Sequence, residues 1–286
     1  TLIDSHSTYL SLKNSKVSSK YVFNVVSRCP LLETIILDGC LQVDDFVIQH
    51  VLKSCKNIKH ISINNCRKIT DMTLVAIYNA IIIDKYKINT ILIGGDFNVS
   101  QRGLEIFFNP LLIPHLIEIN ISGLSLSPII MSNIVQYGVN IEIFGVSYAT
   151  SYVINEHILT YFIKKFGKSL KRLDIAWLGA ISNTLPIVID SGVSGLGNTY
   201  DSNLIGYATD IPVESMESQS TNSPTIGVTD LSIEFLQCVC LSCPKLIYLD
   251  LCGLKCFTIA SIQRLIEYRA YLVSTPPCIY VCIYMC

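Results

Sequence analysis

Charge is scarce in this chain of 286 residues. Asp, Glu, Lys and Arg together make up 15% of it, whereas 50% is hydrophobic; an ordinary soluble domain carries about 25% charge. Neither sign dominates, since 21 basic residues stand against 22 acidic ones for a net charge of −1. That balance removes the basic field through which nucleic acids and anionic membrane surfaces draw proteins in. No apolar run approaches the ~20 residues needed to cross a bilayer, and the longest is Cys278–Cys286. A secretory signal is also missing. The chain opens at Thr1 inside an imperfect repeat, which reads as a piece of a longer protein.

Chemistry-bearing motifs are equally sparse. His6, His50, His60, His115 and His157 are scattered, and none stands at metal-ligand spacing from a second histidine or a carboxylate. Gly192, Gly195 and Gly197 do not fit the G-x-G-x-x-G phosphate loop and lack its strand-then-helix setting. Cys238-x-Cys240-x2-Cys243 suggests zinc, but such a site takes four ligands, and residues 238 and 240 do not share a helical face. Cys252 and Cys256 would contribute only if the following strand turned back onto that helix. The expectation is a protein that is not an enzyme, with no catalytic residue, no metal and no cofactor.

What the chain does have is repetition. Cys29, Leu32, Ile35, Leu37 and Cys40 are followed 26 positions later by Cys55, Ile58, Ile61, Ile63 and Cys66. A fixed period of this size marks a repeat protein, whose units bury their apolar faces against one another. In each unit the L-x-L alternation places two aliphatics on one face of a short strand, and an apolar helical run then returns the chain to the next start. The frame persists without cysteines at Ile88, Leu116, Ile141 and Leu170, and it reappears at Cys243, Leu246, Leu249 and Leu251. Asp44, and Thr70 or Asp71, are expected to cap the helices over 44–53 and 71–83. Cysteines at repeat positions read as packed thiols rather than disulfide partners, and a reducing, intracellular compartment, cytoplasmic and/or nuclear, is expected.

Residues 1–178 form the main run of repeats, the first of them degenerate. Leu170 to Leu246 spans 76 residues (246 − 170), far more than one unit. Most of the excess, residues 179–229, contains no Lys or Arg and is rich in Ser, Thr and Asn from Asn198 to Pro224. That composition predicts a disordered acidic insertion, with an extra strand at Leu185–Ile189 as the alternative. Residues 230–271 resume the repeats, including a predicted helix over 258–268. Residues 272–286 form an apolar tail without the polar cap that a solenoid end normally needs.

Residues that alternate with the buried aliphatics must face outward along the sheet. One such column reads Thr34, His60, Thr90, Glu118, Ile143, Arg172 and Tyr248. A second reads Ile36, Ser62, Leu92, Asn120, Gly145, Asp174 and Asp250. A third reads Asp38, Asn64, Gly94, Ser122, Ser147, Ala176 and Cys252. Asp38, His60, Ser62, Asn64, Glu118, Asn120, Arg172, Asp174, Tyr248 and Asp250 are therefore the candidate partner-binding residues on a concave face. The mixed surface suits a protein or peptide. It has no basic stripe for nucleic acid, and Lys53, Lys56, Lys59, Arg67 and Lys68 read as a solvated rim.

The run from Cys29-Pro30-x-Leu32 through Gly39-Cys40-x2-Val43-x-Asp45, and from Cys55 through Cys66-x2-Ile69-Thr70-Asp71, resembles the cysteine-containing subclass of leucine-rich repeats found in F-box and leucine-rich-repeat proteins of the ribonuclease-inhibitor-like superfamily. The resemblance implies an α/β fold, a right-handed horseshoe with parallel strands on the concave face and helices on the convex one. It also implies the substrate-recognition part of a cullin-based (SCF-type) ubiquitin ligase, which chooses a protein for proteasomal degradation. No counterpart of the F-box that binds a Skp1-like adaptor lies within this sequence. The alternative is an F-box-less leucine-rich-repeat scaffold or inhibitor. In neither case is a nucleic acid or a membrane expected as partner.

Deleting Asn198–Pro224 should be nearly neutral for folding, because loop length enters stability only logarithmically, at about 0.6 kcal/mol per doubling. Thermal unfolding of the deletion variant checks this, and a large loss of stability would mean that the segment is ordered.

Overall fold

Each unit contributes a strand of only three residues, and the computed structural model sets these strands side by side in chain order. The structure describes residues 4–149, 154, 156–178, 231–254 and 263, and the backbone of 280–282. The insertion at 179–229 with its alternative strand, the helix predicted over 258–268 apart from Gln263, and the rest of the 272–286 tail lie outside the described residues. The strands are β1 (Tyr9–Ser11), β2 (Thr34–Ile36), β3 (His60–Ser62), β4 (Thr90–Leu92), β5 (Glu118–Asn120), β6 (Ile143–Gly145), β7 (Arg172–Asp174), β8 (Tyr248–Asp250) and β9 (Tyr280–Cys282). All are parallel, in the order β1 to β9. Ile35, Ile61, Ile91, Ile119, Phe144, Leu173 and Leu249 follow one another in register.

The helices are α1 (Ser19–Val26), α2 (Asp45–Ser54), α3 (Asp71–Ile82), α4 (Gln101–Phe107), α5 (Pro128–Tyr137), α6 (Glu156–Phe166) and α7 (Ile233–Ser242). Successive helices pack on one another. Helices need 8–10 Å between axes while strands need about 4.8 Å, so the sheet is the inner side of the curve. The chain is a leucine-rich-repeat solenoid of the α/β class. Its interior columns are dry: Leu37, Ile63, Ile93, Ile121, Val146, Ile175 and Leu251 are all fully buried. Farther along, aromatic rings replace aliphatics, and Phe162 lies 4.5 Å from Phe144 and 4.8 Å from Phe166 between ring centroids.

Beyond each strand from β1 to β7 the parallel ladder runs on for two more rungs. Ile63 and Asn65 N–H donate to Leu92 and Gly94 C=O, and Ile175 and Trp177 N–H donate to Asp250 and Cys252 C=O. The residue at the last rung then turns the chain with positive φ in every described unit: Asn14, Gly39, Asn65, Gly95, Gly123, Tyr148, Trp177 and Gly253. Glycine and asparagine tolerate that conformation. A Cβ on Gly39 or Gly95 would also fall 2.2 Å from the side-chain oxygen of Asn14 or Asn65 in the preceding unit, so the glycines leave room for those amides.

The described repeat cysteines are free thiols. Cys40 and Cys66 Sγ donate to Leu12 and Leu37 C=O at 2.9 and 3.1 Å, and Cys55 donates to Cys29 C=O at 3.3 Å. Each thiol thus covers a carbonyl of the unit before it. Burial pushes Cys55 up to about 11 and Cys66 to about 12, which keeps both protonated and chemically inert.

Helix starts are linked in the same way. Asp44 caps α2 and Thr70 caps α3, each accepting from a first-turn N–H. Asp71 proves to be the first residue inside α3, where it serves the next unit: its carboxylate accepts from Ser100 N–H at 2.8 Å and from Ser100 Oγ at 2.6 Å. Asp45 likewise receives Thr70 N–H at 2.9 Å, Thr70 Oγ1 at 2.7 Å and Thr73 Oγ1 at 2.6 Å. Glu156 does the same for Ser232, whose N–H lies 2.8 Å away and whose hydroxyl also donates to it. Ser232 is the cap of α7.

One position in the cysteine column holds a carboxyl. Asp96 is fully buried, Oδ1 accepts from Cys66 N–H at 2.6 Å, and Oδ2 has no partner. Burial raises its pKa to about 8, against the pull of the Cys66 N–H, with the Asp38 charge adding to the rise. The fold thus favours the protonated acid. The stability this group supplies is fully present below its ordinary value of 3.8 and is lost as pH climbs through about 8. Asp96→Asn keeps the acceptor and removes the titration. Its melting temperature relative to the parent should rise from pH 5 and level off above about pH 8, at about 1.4 kcal/mol per unit of pKa displacement. A pH-independent difference would show that Asp96 is ionised in the fold.

Candidate functional site

His60, Thr90, Glu118, Ile143, Arg172 and Tyr248 are direct neighbours on adjacent strands, as are Ser62, Leu92, Asn120, Gly145, Asp174 and Asp250. Their side chains are less available than simple alternation implies. Asp38 Oδ1 accepts from Ser62 Oγ at 2.5 Å, from Asn64 N–H at 3.0 Å and from Asn64 Nδ2 at 3.0 Å. Asn64 Oδ1 in turn accepts from Gly94 N–H at 2.8 Å and from Asn120 Nδ2 at 3.1 Å. Asn64 and Asn120 meet across an intervening unit because Gly94 has no side chain between them; a Cβ there would lie 3.1 Å from both amides. Ser62, Thr90 and Ser147 are buried. Third-column oxygens at Asp38, Asn64 and Ser147 each receive the backbone N–H of the corresponding residue in the next unit. Much of this polar surface is therefore fastened to the scaffold.

Electrostatics differ along the face. Burial lowers the pKa of His60 while Asp38 opposes the shift, so the imidazole favours its neutral form. Glu118 is raised by burial first and by Glu142 second. At the other end Arg172 lies over the Tyr248 ring at 4.2 Å and reaches Asp174 Oδ2 at 3.8 Å. Asp174 faces Asp250 directly across β7 and β8. Its carboxyl is raised by burial, a rise that the Ser147 hydrogen bond opposes and the Asp250 charge reinforces.

Beside these two carboxylates the structure opens a cleft of about 500 Å³, lined by Asn120, Ser147, Tyr148, Asp174, Trp177 and Asp250 among others. Tyr148 and Trp177 stack with planes 12° apart and centroids 6.1 Å apart. Both occupy the positive-φ position, at 55° and 54°, where a bulky side chain is an outlier. Trp177 fits because its ring lies over Gly253, where a Cβ would come within 2.2 Å of it. Ser122 Oγ, also in the lining, is buried and has no hydrogen-bond partner. Column-by-column reading of the sequence missed Tyr148 and Trp177, because it stops one residue short of them. A signal was there: the same position elsewhere holds only Gly or Asn.

The other candidates disperse. Lys56 and Lys59 border a hollow of about 700 Å³ with Glu33, Asp84, Lys85 and Lys87 at the helix-to-strand end, and Lys59 pairs with Glu33 at 2.8 Å. Arg67 and Lys68 lie in the loop at the opposite end of β3. His50 packs at 4.7 Å on Phe23 and hydrogen-bonds Ser27 at 2.9 Å. Cys240 and Cys243 are buried on and after α7, with Cys238 half-buried. Among the described residues no group of three His, Cys, Asp or Glu side chains is placed to hold a metal ion, and no helix is long and apolar enough to cross a membrane.

No protein-family model matches this sequence, and no curated protein matches it either. Among solved structures 49 chains match. One is the crystal structure of the yeast Rad7–Elc1 complex, with a TM-score of 0.53 and 14% identity over 93% of this chain and 74% of that one. At such identity the likeness concerns the fold.

Replacing Tyr148 by glycine relieves a left-handed residue, a gain of about 1–2 kcal/mol, and removes a ring stack worth about 0.5–1.5 kcal/mol. The two nearly cancel, so Tyr148→Gly should leave the unfolding free energy in urea within about 1 kcal/mol of the parent. A much larger loss would make the ring a structural element of the fold.

Proposed function

We propose that this solenoid is a protein-recognition module that binds another protein on its sheet face, as the substrate-recognition part of a cullin-based ubiquitin ligase. The observation that carries the reading is the unbroken parallel face: its outward columns stay in register from β1 to β8 without a basic stripe, a metal cluster or a catalytic constellation among the described residues. The cysteine repeats from Cys29 to Cys66, with their resemblance to F-box and leucine-rich-repeat proteins, point to the ligase. The likeness to Rad7, crystallised with Elc1, supports a life in protein complexes. Free, inert repeat thiols suit the reducing interior of the cell. A leucine-rich-repeat scaffold or inhibitor, using the same face without an F-box, is the second reading, since the sheet face would serve either role.

Affinity purification of the full-length natural protein tests both. A Skp1-like adaptor should co-purify, and a bound protein should accumulate when the receptor is depleted. A stable partner whose abundance does not change, with no adaptor, would replace the ligase with the scaffold.

A further inference from the structure

The cleft at Tyr148 and Trp177 joins features that a purely structural role leaves unexplained. Two bulky rings occupy backbone positions that elsewhere hold Gly or Asn. Two carboxylates, Asp174 and Asp250, face one another on neighbouring parallel strands, where like charges repel and cost stability. Among the described residues Asp174 has only the 3.8 Å approach of Arg172 for a cationic partner. Asp250 accepts from Cys252 N–H at 3.0 Å and from Tyr248 OH at 3.3 Å, both neutral donors, and among the described residues no basic side chain pairs with it. The buried Ser122 hydroxyl in the same lining is unpartnered.

Resting on the protein-binding reading above, we infer that this cleft takes a basic side chain, an arginine or a lysine, presented by the bound protein. Such a residue has an apolar stem and a cationic head. The stem lies along the Tyr148 and Trp177 rings, where cations and aromatic faces also attract, and the head reaches Asp174 and Asp250. A guanidinium suits the site better than an ammonium, since its planar fork matches a carboxylate and stacks on a ring. Among the described lining residues there are two carboxylates, fewer than the three or more protein ligands of a dedicated metal site, and the flanking rings favour an organic cation. Arg172 against the Tyr248 ring and Asp174 is an internal instance of the same combination one step along the face.

Trp177 is the single tryptophan of the chain, so its fluorescence reports on this cleft alone. The full chain is titrated with acetyl-Gly-Arg-Gly amide and with the same peptide carrying citrulline, an uncharged isostere of arginine. A saturable change is expected with the arginine peptide, weaker with a lysine version and absent with citrulline. Asp250→Asn, which retains its acceptor for the Cys252 N–H and relieves the repulsion from Asp174, should weaken binding at least ~10-fold without lowering the melting temperature. Tyr148→Gly should weaken it too, read by anisotropy of a labelled arginine peptide. Equal responses to arginine and citrulline, no saturable response, or a response to calcium alone would overturn the proposal. A natural partner that binds the parent and Asp250→Asn equally would leave the protein-binding reading intact and remove the cleft from it. Arginine-specific binding with no protein partner recovered would do the reverse.

Discussion

A single unit of this chain cannot satisfy its own polar groups. The N–H groups opening α3 and α4 bond to carboxylates from the helix before them, and the amides beyond the strands bond to side chains one unit back. Repeat thiols cover carbonyls of the preceding turn. Each buried donor left unmatched would cost about 1–3 kcal/mol, so the stack forms by neighbour completing neighbour. That makes the solenoid cooperative beyond the burial of its aliphatics, and it binds the acidic and hydroxyl residues at helix starts to the architecture rather than to chemistry.

The apolar frame was legible because it needs only periodicity: Leu32 and Ile58, or Leu37 and Ile63, declare their columns by spacing alone. The strand register, helix positions and packed cysteines follow from it. What periodicity does not carry is the direction of a polar side chain. Asp71 looks like a cap for its own helix and instead holds Ser100, the cap of the next one; Ser62 alternates outward yet is buried under Asp38. Asn64 and Asn120 belong to different units, and their contact depends on the glycine between them. Tyr148 and Trp177 were visible in principle as breaks in a Gly and Asn column. That column emerges only when the turn after each strand is known to be left-handed.

These two parts of the face have opposite characters. From β2 to β5 the polar groups are bonded to one another and held still, a preorganised wall with little freedom left to adapt. From β5 to β8 the rule of small turn residues is broken, opposed carboxylates are tolerated and a hollow opens. Local departures from a consistent pattern tend to mark where a protein does its work. Here they concentrate away from the cysteine-rich units that most clearly define the repeat class.

Glu156 holds Ser232 across 76 positions of sequence, and β7 pairs with β8 as closely as any consecutive strands. The stack therefore runs on from β7 to β8 although a long interval of sequence separates them. These two strands are adjacent rungs, already joined by a helix cap and a sheet ladder. Such a junction is a port: sequence of almost any length or kind can be grafted there, and neither rung has to move to accommodate it.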